Sequence, residues 1–155
     1  MPDVPEGLLP GGRARAWTAA PPAYVALDAD GTLLAGTPLP SPRVLAALRD
    51  LVADGAVVGV ATGRLTPAVA PLIAAAGLPG PHVAHNGGAV VAADGTVLTA
   101  WALTDDEVTA LLALGRGRDD LLVEIYAADA YRVGRVDDRS RLHTTLLGVA
   151  PAGTI

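Results

Sequence analysis

The fold of this chain is decided by Leu27-Asp28-Ala29-Asp30-Gly31-Thr32-Leu33-Leu34. The short apolar run from Tyr24 to Leu27 predicts a buried strand that ends by presenting a carboxylate. Open α/β sheets bind their ligands at this carboxyl end of the strands. Two aspartates one residue apart point to opposite faces of a regular strand, but Gly31-Thr32 lets the chain turn away at once. Both carboxylates can therefore face one cavity.

Strands and helices alternate after this stretch. The expected elements are a helix capped by Ser41-Pro42 and ending at Gly55, a strand over Ala56–Ala61, a helix from Thr66-Pro67 to Gly77, and a strand over His82–Ala84. Serine followed by proline is typical of a helix start, and glycine of a helix end. The order strand, helix, strand, helix, strand predicts an α/β fold with a Rossmann-like core of parallel strands and right-handed crossovers.

The second half of the chain predicts a smaller α/β arrangement. Asp94-Gly95 is a hairpin signal, and Thr104 with Glu107 forms a capping box for a helix through Leu114. Further on, the pattern predicts an antiparallel pair over Leu121–Tyr126 and Tyr131–Val136, then a helix over Arg141–Leu147 for which Asp138 is the expected N-cap.

Composition excludes several classes of protein. The 155 residues are 51% apolar, which suits one packed domain, and there is no cysteine for a disulfide or a thiolate metal site. The net charge is −5, and the eleven basic residues are scattered arginines, so neither nucleic acid nor an anionic membrane is an expected partner. Since the sequence contains neither a signal peptide pattern nor 18 consecutive apolar residues, a cytoplasmic location is expected.

The paired aspartates suit phosphoryl transfer. A carboxylate can attack the negatively charged phosphorus of a phosphomonoester only if a cation neutralises the approach, and oxygen ligands suit Mg²⁺. Asp28 can serve as nucleophile and metal ligand. Asp30 can protonate the leaving alkoxide and later deprotonate the water that cleaves the aspartyl-phosphate.

The ends of the next two strands supply candidate phosphate and substrate contacts. Thr62-Gly63 offers a hydroxyl and free backbone N–H groups, and Asn86-Gly87 offers a carboxamide and close backbone approach. Arg64 suits a phosphate or substrate contact and a structural ion pair equally. Some other residues have simpler structural interpretations: packing or hydrogen bonding for His82, His85 and His143, and hydrophobic core for Trp101, Tyr126 and Tyr131. Of the three histidines, His85 is the best placed for a substrate contact because it precedes Asn86. Asp137-Asp138 could be a metal pair, but Asp138 is more simply a helix N-cap.

The motif Asp28-Ala29-Asp30-Gly31-Thr32-Leu33 resembles the first motif of the haloacid dehalogenase superfamily. Ala61-Thr62-Gly63-Arg64 and Asn86-Gly87-Gly88, followed by the Asp94-Gly95 hairpin, resemble its Cof-like branch, in which an α/β cap follows the third core strand. The resemblance implies a phosphorylated nucleophile at Asp28, an acid/base at Asp30 and a phosphate ligand at Thr62. It also implies Mg²⁺ at the Asp28 carboxylate and Asp30 carbonyl, and small phosphorylated metabolites, often sugar phosphates, as substrates.

With this resemblance, the expected domains are a flexible tail (1–21), the nucleophile half of a Rossmann-like core (22–101) and a partial α/β cap (102–155). The family also needs a later Lys or Arg and a later acidic pair, and neither is found. The sequence therefore predicts a hydrolase that is incomplete as it stands. Alternatives are a mutase-like phosphotransferase, a non-catalytic remnant that binds a phosphorylated ligand or a protein, and a piece of a longer enzyme. An uncovered sheet edge would favour a homodimer.

Overall fold

The computed structural model of the chain describes residues 24–127 and 129–155. The predicted flexible tail, residues 1–21, lies outside the described residues. Along the chain the structure contains β1 (Val25–Asp28), α1 (Pro42–Ala53), β2 (Val58–Ala61), α2 (Thr66–Ala76), β3 (His82–Ala84), β4 (Ala89–Val91), β5 (Val97–Ala100), α3 (Asp105–Gly115), β6 (Glu124–Tyr126), β7 (Tyr131–Val133) and α4 (Asp138–Leu147). In the part of the chain that the structure describes, no helix is both long and apolar enough to cross a membrane.

The first five strands form one sheet in the order β1-β2-β3-β4-β5. The strands β1, β2 and β3 are parallel, and the hairpin of β4 and β5 extends the sheet in antiparallel fashion. The predicted α/β class with a Rossmann-like core is thus confirmed. Asp28 pairs with Ala61, and Ala61 pairs with Val83, so the carboxyl ends of three strands lie side by side.

The helices α1 and α2 form where the sequence supplies their caps. The Ser41 hydroxyl accepts a hydrogen bond from the Val44 amide at 3.3 Å, and Gly77 ends α2 in the left-handed conformation that glycine adopts readily. Both helices pack on the sheet and bury an aliphatic core, whose fully enclosed members include Val58, Val60, Val69, Leu72 and Ile73. This core fixes β1 and β2, the strands that carry Asp28 and Thr62.

The strands β6 and β7 and the helix α4 lie within the stretch 102–155 that the sequence predicts to be a partial cap, and we call these three elements the cap. The segment 152–155 runs beside β7. Val133 donates its amide hydrogen to the Gly153 carbonyl at 3.1 Å and accepts one from Ile155 at 2.9 Å. Tyr131 is 1% exposed and packs with Leu65, the residue that precedes α2. A small apolar cluster therefore joins the cap to the core close to the carboxyl end of β2.

Some local predictions were wrong. The N-cap of α4 is Asp137, whose carboxylate accepts from the Ser140 amide at 3.0 Å; Asp138 is the first helical residue. The spacing between Asp137 and Ser140 allows a reciprocal capping box, which Asp138 cannot form. Trp101 was expected in the core but is 65% exposed at the end of the β4–β5 hairpin. The strands β6 and β7 are shorter than predicted because regular pairing covers only three residues on each side.

Candidate active site

The turn after β1 presents the two aspartates in different surroundings. The Ala29 carbonyl accepts hydrogen bonds from the Leu33 and Leu34 amides at 3.0 and 2.8 Å, which closes the turn. Gly31 has φ of +78°, a conformation that residues with a Cβ rarely adopt. Asp28 is exposed at the strand end, and its Oδ2 accepts a hydrogen bond from the Thr32 hydroxyl at 2.9 Å. The bond orients the carboxylate and leaves its second oxygen accessible.

Asp30 is held by a two-point ion pair with Arg64. The guanidinium donates from Nε to Oδ2 at 2.9 Å and from Nη2 to Oδ1 at 2.7 Å. The Arg64 side chain is only 11% exposed, whereas that of Asp30 is 58% exposed. The Arg64 hydrogen bonds, and to a lesser extent its charge, lower the pKa of Asp30, and slight burial opposes them. Of the two roles open to Arg64, the structure shows the ion pair.

Replacing Arg64 with methionine should raise the pKa of Asp30 towards that of an ordinary aspartate. Methionine keeps much of the apolar length of arginine but removes the donors that stabilise the carboxylate. The pair stabilises the fold above the unfolded pKa of about 3.9, and this contribution is lost as the pH falls through the folded value. Carbon-13 NMR of the carboxyl group during a pH titration measures the shift.

Arg49→Met on α1 is the control, because Arg49 donates to the Ala75 carbonyl and not to Asp30. An Asp30 titration that is the same in wild type and Arg64→Met would contradict the ion pair.

The loops after β2 and β3 are joined by backbone hydrogen bonds. Asn86 donates its amide hydrogen to the Thr62 carbonyl at 3.1 Å, and His85 donates to the Arg64 carbonyl at 3.0 Å. Both His85 and Asn86 have φ of +55°, an uncommon conformation for residues other than glycine. The Asn86 carboxamide lies so close to Gly63 that a Cβ added there would come within 2.6 Å of Oδ1. Gly63 thus makes room for this side chain.

A cleft of about 640 Å³ lies between the strand ends and the cap. Its core side is formed by Asp30, Gly63, Arg64, His85 and Asn86, and its cap side by Tyr126, His143, Leu146 and Leu147. The structure therefore brings four predicted site residues into one cleft.

Three predicted site residues lie outside the cleft lining. Asp28 ends β1 directly before the turn to Asp30, and Gly87 is exposed beside Asn86. Thr62 is buried at the end of β2, where its hydroxyl accepts a hydrogen bond from the Arg64 amide at 3.1 Å. That bond uses a lone pair of the Thr62 hydroxyl and not its hydrogen.

The residues on the cap side of the cleft were not predicted to be site residues. His143 makes a hydrogen bond, one of its two predicted roles, but it also lines the cleft. Tyr126 lines the cleft although it was expected in the core, whereas Tyr131 is core as predicted. Glu124, which contacts both His143 and Tyr126, was not singled out at all. The sequence spacing of Glu124 and His143 did not predict their contact, because the two residues are 19 apart and meet only when α4 packs on the β6–β7 pair.

The donors at the end of β1 fit Mg²⁺. The Asp28 carboxylate and the Asp30 backbone carbonyl are hard oxygen ligands, and protein-bound Mg²⁺ commonly uses one or two carboxylates together with several waters. Within residues 24–127 and 129–155, no group of three or more His, Cys, Asp or Glu side chains is arranged to hold a metal ion. Water and substrate oxygens would complete the coordination.

Comparisons with known proteins identify the family and the fold. The profile of haloacid dehalogenase-like hydrolases matches residues 25–140. No curated protein matches the sequence. A haloacid dehalogenase-like hydrolase from Bacteroides thetaiotaomicron superposes with a TM-score of 0.72 at 22% identity, over 84% of this chain and 51% of that chain. A phosphatase of the superfamily from the same organism gives 0.67 at 24% identity, over 97% of this chain and 53% of that one.

A subclass IIB sugar phosphatase of the superfamily superposes with a TM-score of 0.68 at 22% identity, over 85% of this chain and 52% of that chain. The chain thus spans about half the length of these solved structures, and at such identities the likeness establishes the fold alone. It confirms the resemblance to the Cof-like branch at the level of the fold. Because the family profile covers well over half of the sequence, the chain belongs to the haloacid dehalogenase-like hydrolases.

Proposed function

We propose that this chain is a Mg²⁺-dependent phosphomonoester hydrolase that acts on small phosphorylated metabolites through an aspartyl-phosphate intermediate. The observation that carries this proposal is the convergence of three parallel strand ends, where Asp28 and Asp30 meet the loops of Thr62 and Asn86. Family membership supports the hydrolase class.

In the proposed reaction, one Asp28 carboxylate oxygen attacks phosphorus, and the bond from phosphorus to the leaving oxygen breaks. Asp30 gives its proton to that oxygen, so an alcohol departs. In the second half-reaction Asp30 takes a proton from water as the water oxygen attacks phosphorus, which releases phosphate and restores Asp28. The same two carboxylates thereby serve both half-reactions.

The ion pair between Arg64 and Asp30 has to weaken or break during this cycle. An acid must carry a proton, but the ion pair lowers the pKa of Asp30 and keeps it a carboxylate. A phosphate group in the cleft would compete for the Arg64 guanidinium, because phosphate also accepts two parallel N–H bonds. Substrate binding would then both fix the phosphate and free Asp30 to carry a proton.

The remaining site residues are proposed to hold the transferring group. The Thr62 hydroxyl and the Gly63 amide would donate to phosphoryl oxygens, while Asn86 and Gly87 would contact substrate. The Asp28 carboxylate and Asp30 carbonyl would hold Mg²⁺, which when bound offsets negative charge on the phosphoryl oxygens. The sugar phosphatase among the similar structures supports sugar phosphates as candidate substrates.

The decisive experiment measures inorganic phosphate released from phenyl phosphate and from glucose 6-phosphate by the purified chain. We expect release with Mg²⁺, loss of release after EDTA, and recovery when Mg²⁺ is restored. A phosphorylated product without free phosphate would indicate a mutase-like transferase instead. Absence of turnover with every ester, in the presence of Mg²⁺, would contradict hydrolysis by this chain and favour either a piece of a longer enzyme or a phosphate-binding remnant.

A further inference from the structure

The cap side of the cleft carries a polar network that the proposed chemistry does not use. Tyr126 donates its hydroxyl hydrogen to Glu124 Oε2 at 2.7 Å. His143 Nδ1 lies 2.8 Å from Oε1 of the same carboxylate. The Glu124 side chain is only 9% exposed, whereas Tyr126 is 36% exposed and the His143 side chain 32% exposed, so the carboxylate is buried behind its two partners. A strand and a helix of the cap are thus joined through one carboxylate.

Stability alone is a weak explanation for this network. A carboxylate removed from water loses hydration that an ion pair rarely recovers in full, and apolar side chains of similar size often serve a core better. The network has a clearer effect on the His143 imidazole, whose two ring nitrogens it makes different. Because Glu124 engages Nδ1, that nitrogen carries the proton, and Nε2 is the ring nitrogen left for a ligand. His143 lines the cleft, opposite Asp30 and Arg64.

Tyr126 makes the neighbouring part of the wall rigid. Burial and then the Glu124 carboxylate raise the pKa of Tyr126, so the phenol remains a donor to Glu124. Its ring stacks on Tyr131 with centroids 5.4 Å apart, and His85 of the core meets it edge-on at 6.1 Å. The wall therefore has a fixed aromatic surface beside the imidazole, and the Tyr126 oxygen can still accept a hydrogen bond.

The charges nearby limit what this wall can bind. Arg139 donates to the Asp120 carbonyl at 2.6 Å, and Arg141 pairs with Asp138 at 2.9 Å. Neither lines the cleft, although Arg139 lines the adjoining pocket together with His143 and Leu146. The rest of the cap wall is the apolar pair Leu146 and Leu147. The cap side of the cleft thus offers hydrogen bonds and apolar contact, and the arginine of the adjoining pocket is already bonded to the Asp120 carbonyl. It suits an uncharged leaving group that carries hydroxyls.

We propose that His143 Nε2 binds a hydroxyl of the substrate's leaving group and that Glu124 is its positioning residue. The cleft then selects phosphomonoesters of small polyhydroxylated alcohols over aryl esters. This assignment rests on the proposed function for the position of the phosphate, which would lie at the Asp28 and Thr62 end. A leaving group that extends from there crosses the cleft towards His143.

The kinetic test compares glucose 6-phosphate with phenyl phosphate, whose leaving group carries no further hydroxyl. His143→Ala should lower kcat/KM for glucose 6-phosphate about tenfold, the scale of one hydrogen bond, and change phenyl phosphate hydrolysis little. His143→Gln should recover part of the loss, and Glu124→Gln should give an intermediate loss. Arg141→Ala, an exposed site on the same helix, is the control and should affect neither ester.

A binding test keeps this proposal separate from catalysis. The imidazole C2 proton of His143, assigned by its absence in His143→Ala, should shift on addition of glucose 6-phosphate but not of inorganic phosphate. That result would support the subsite even if no ester were hydrolysed, in which case only the proposed function would fail. Equal losses of kcat/KM for both esters, or a His143 signal that glucose 6-phosphate does not move, would overturn the proposal.

Discussion

Replacing Asp28 with asparagine should abolish Mg²⁺-dependent phosphate release, with a fall in kcat of at least about 10⁴-fold, as is common when an essential catalytic group is removed. A carboxamide has nearly the same shape as a carboxylate but is a very poor nucleophile towards phosphorus. The exchange also removes the negative charge that favours a divalent cation. Because Asp28 is exposed and its structural contact is the bond from Thr32, the oxygen of the substituted carboxamide can still accept that bond.

The Asp28→Asn variant should therefore unfold at the same temperature as wild type, which thermal denaturation followed by circular dichroism would show. Asp50→Asn, an exposed aspartate on α1, is the matched control and should keep full activity. Asp30→Asn provides a second comparison, because a phosphoryl group placed on Asp28 would then be removed slowly and could be detected by intact-mass spectrometry. Phosphate release that survives in Asp28→Asn would exclude Asp28 as the nucleophile.

The parts of the fold that were predictable depend on local rules. Hydrophobic runs between Gly and Pro signals located β1, β2 and β3, and parallel pairing followed from the crossovers. The capping box of Thr104 and Glu107 formed as its spacing indicated. Since parallel strands end at one edge of the sheet, the proximity of the Asp28, Thr62 and Asn86 segments was also predictable.

The parts that were not predictable depend on tertiary contact. The bond between Asp30 and Arg64 joins residues 34 apart, and local sequence does not distinguish it from a solvated arginine. His85 and Asn86 adopt the left-handed conformation where their backbone amides donate hydrogen bonds to the neighbouring loop, a tertiary contact that local sequence does not reveal. The Glu124 and His143 contact depends on how α4 packs, which periodicity alone does not fix.

Replacing Gly59 with alanine should destabilise the chain strongly. Gly59 is buried in β2, paired with β1 on one side and next to β3 on the other. The Tyr24 side chain passes over it and donates to the Pro81 carbonyl at 2.6 Å. A Cβ at Gly59 would overlap both the Tyr24 hydroxyl and the Pro81 carbonyl oxygen. The Tyr24 phenol could rotate away from the added Cβ. The Pro81 carbonyl could move away only if the backbone before β3 moved as well.

The expected cost of this substitution has two parts. Overpacking a core typically costs about 1–3 kcal/mol, and losing the Tyr24 hydrogen bond adds about 1 kcal/mol. Total stability of a domain this size is commonly about 5–15 kcal/mol, so a large share would be lost. Urea unfolding followed by circular dichroism should show a much lower midpoint, or an insoluble variant.

Gly134→Ala is the matched control, since a Cβ there would lie 3.5 Å from Val123, an ordinary contact distance. Its unfolding midpoint should stay close to that of wild type. Adding Tyr24→Ala to Gly59→Ala should not restore stability, because the Pro81 carbonyl would still overlap the added Cβ. A Gly59→Ala variant that unfolds at the wild-type midpoint would mean that β2 and the segment before β3 are further apart than this close contact requires.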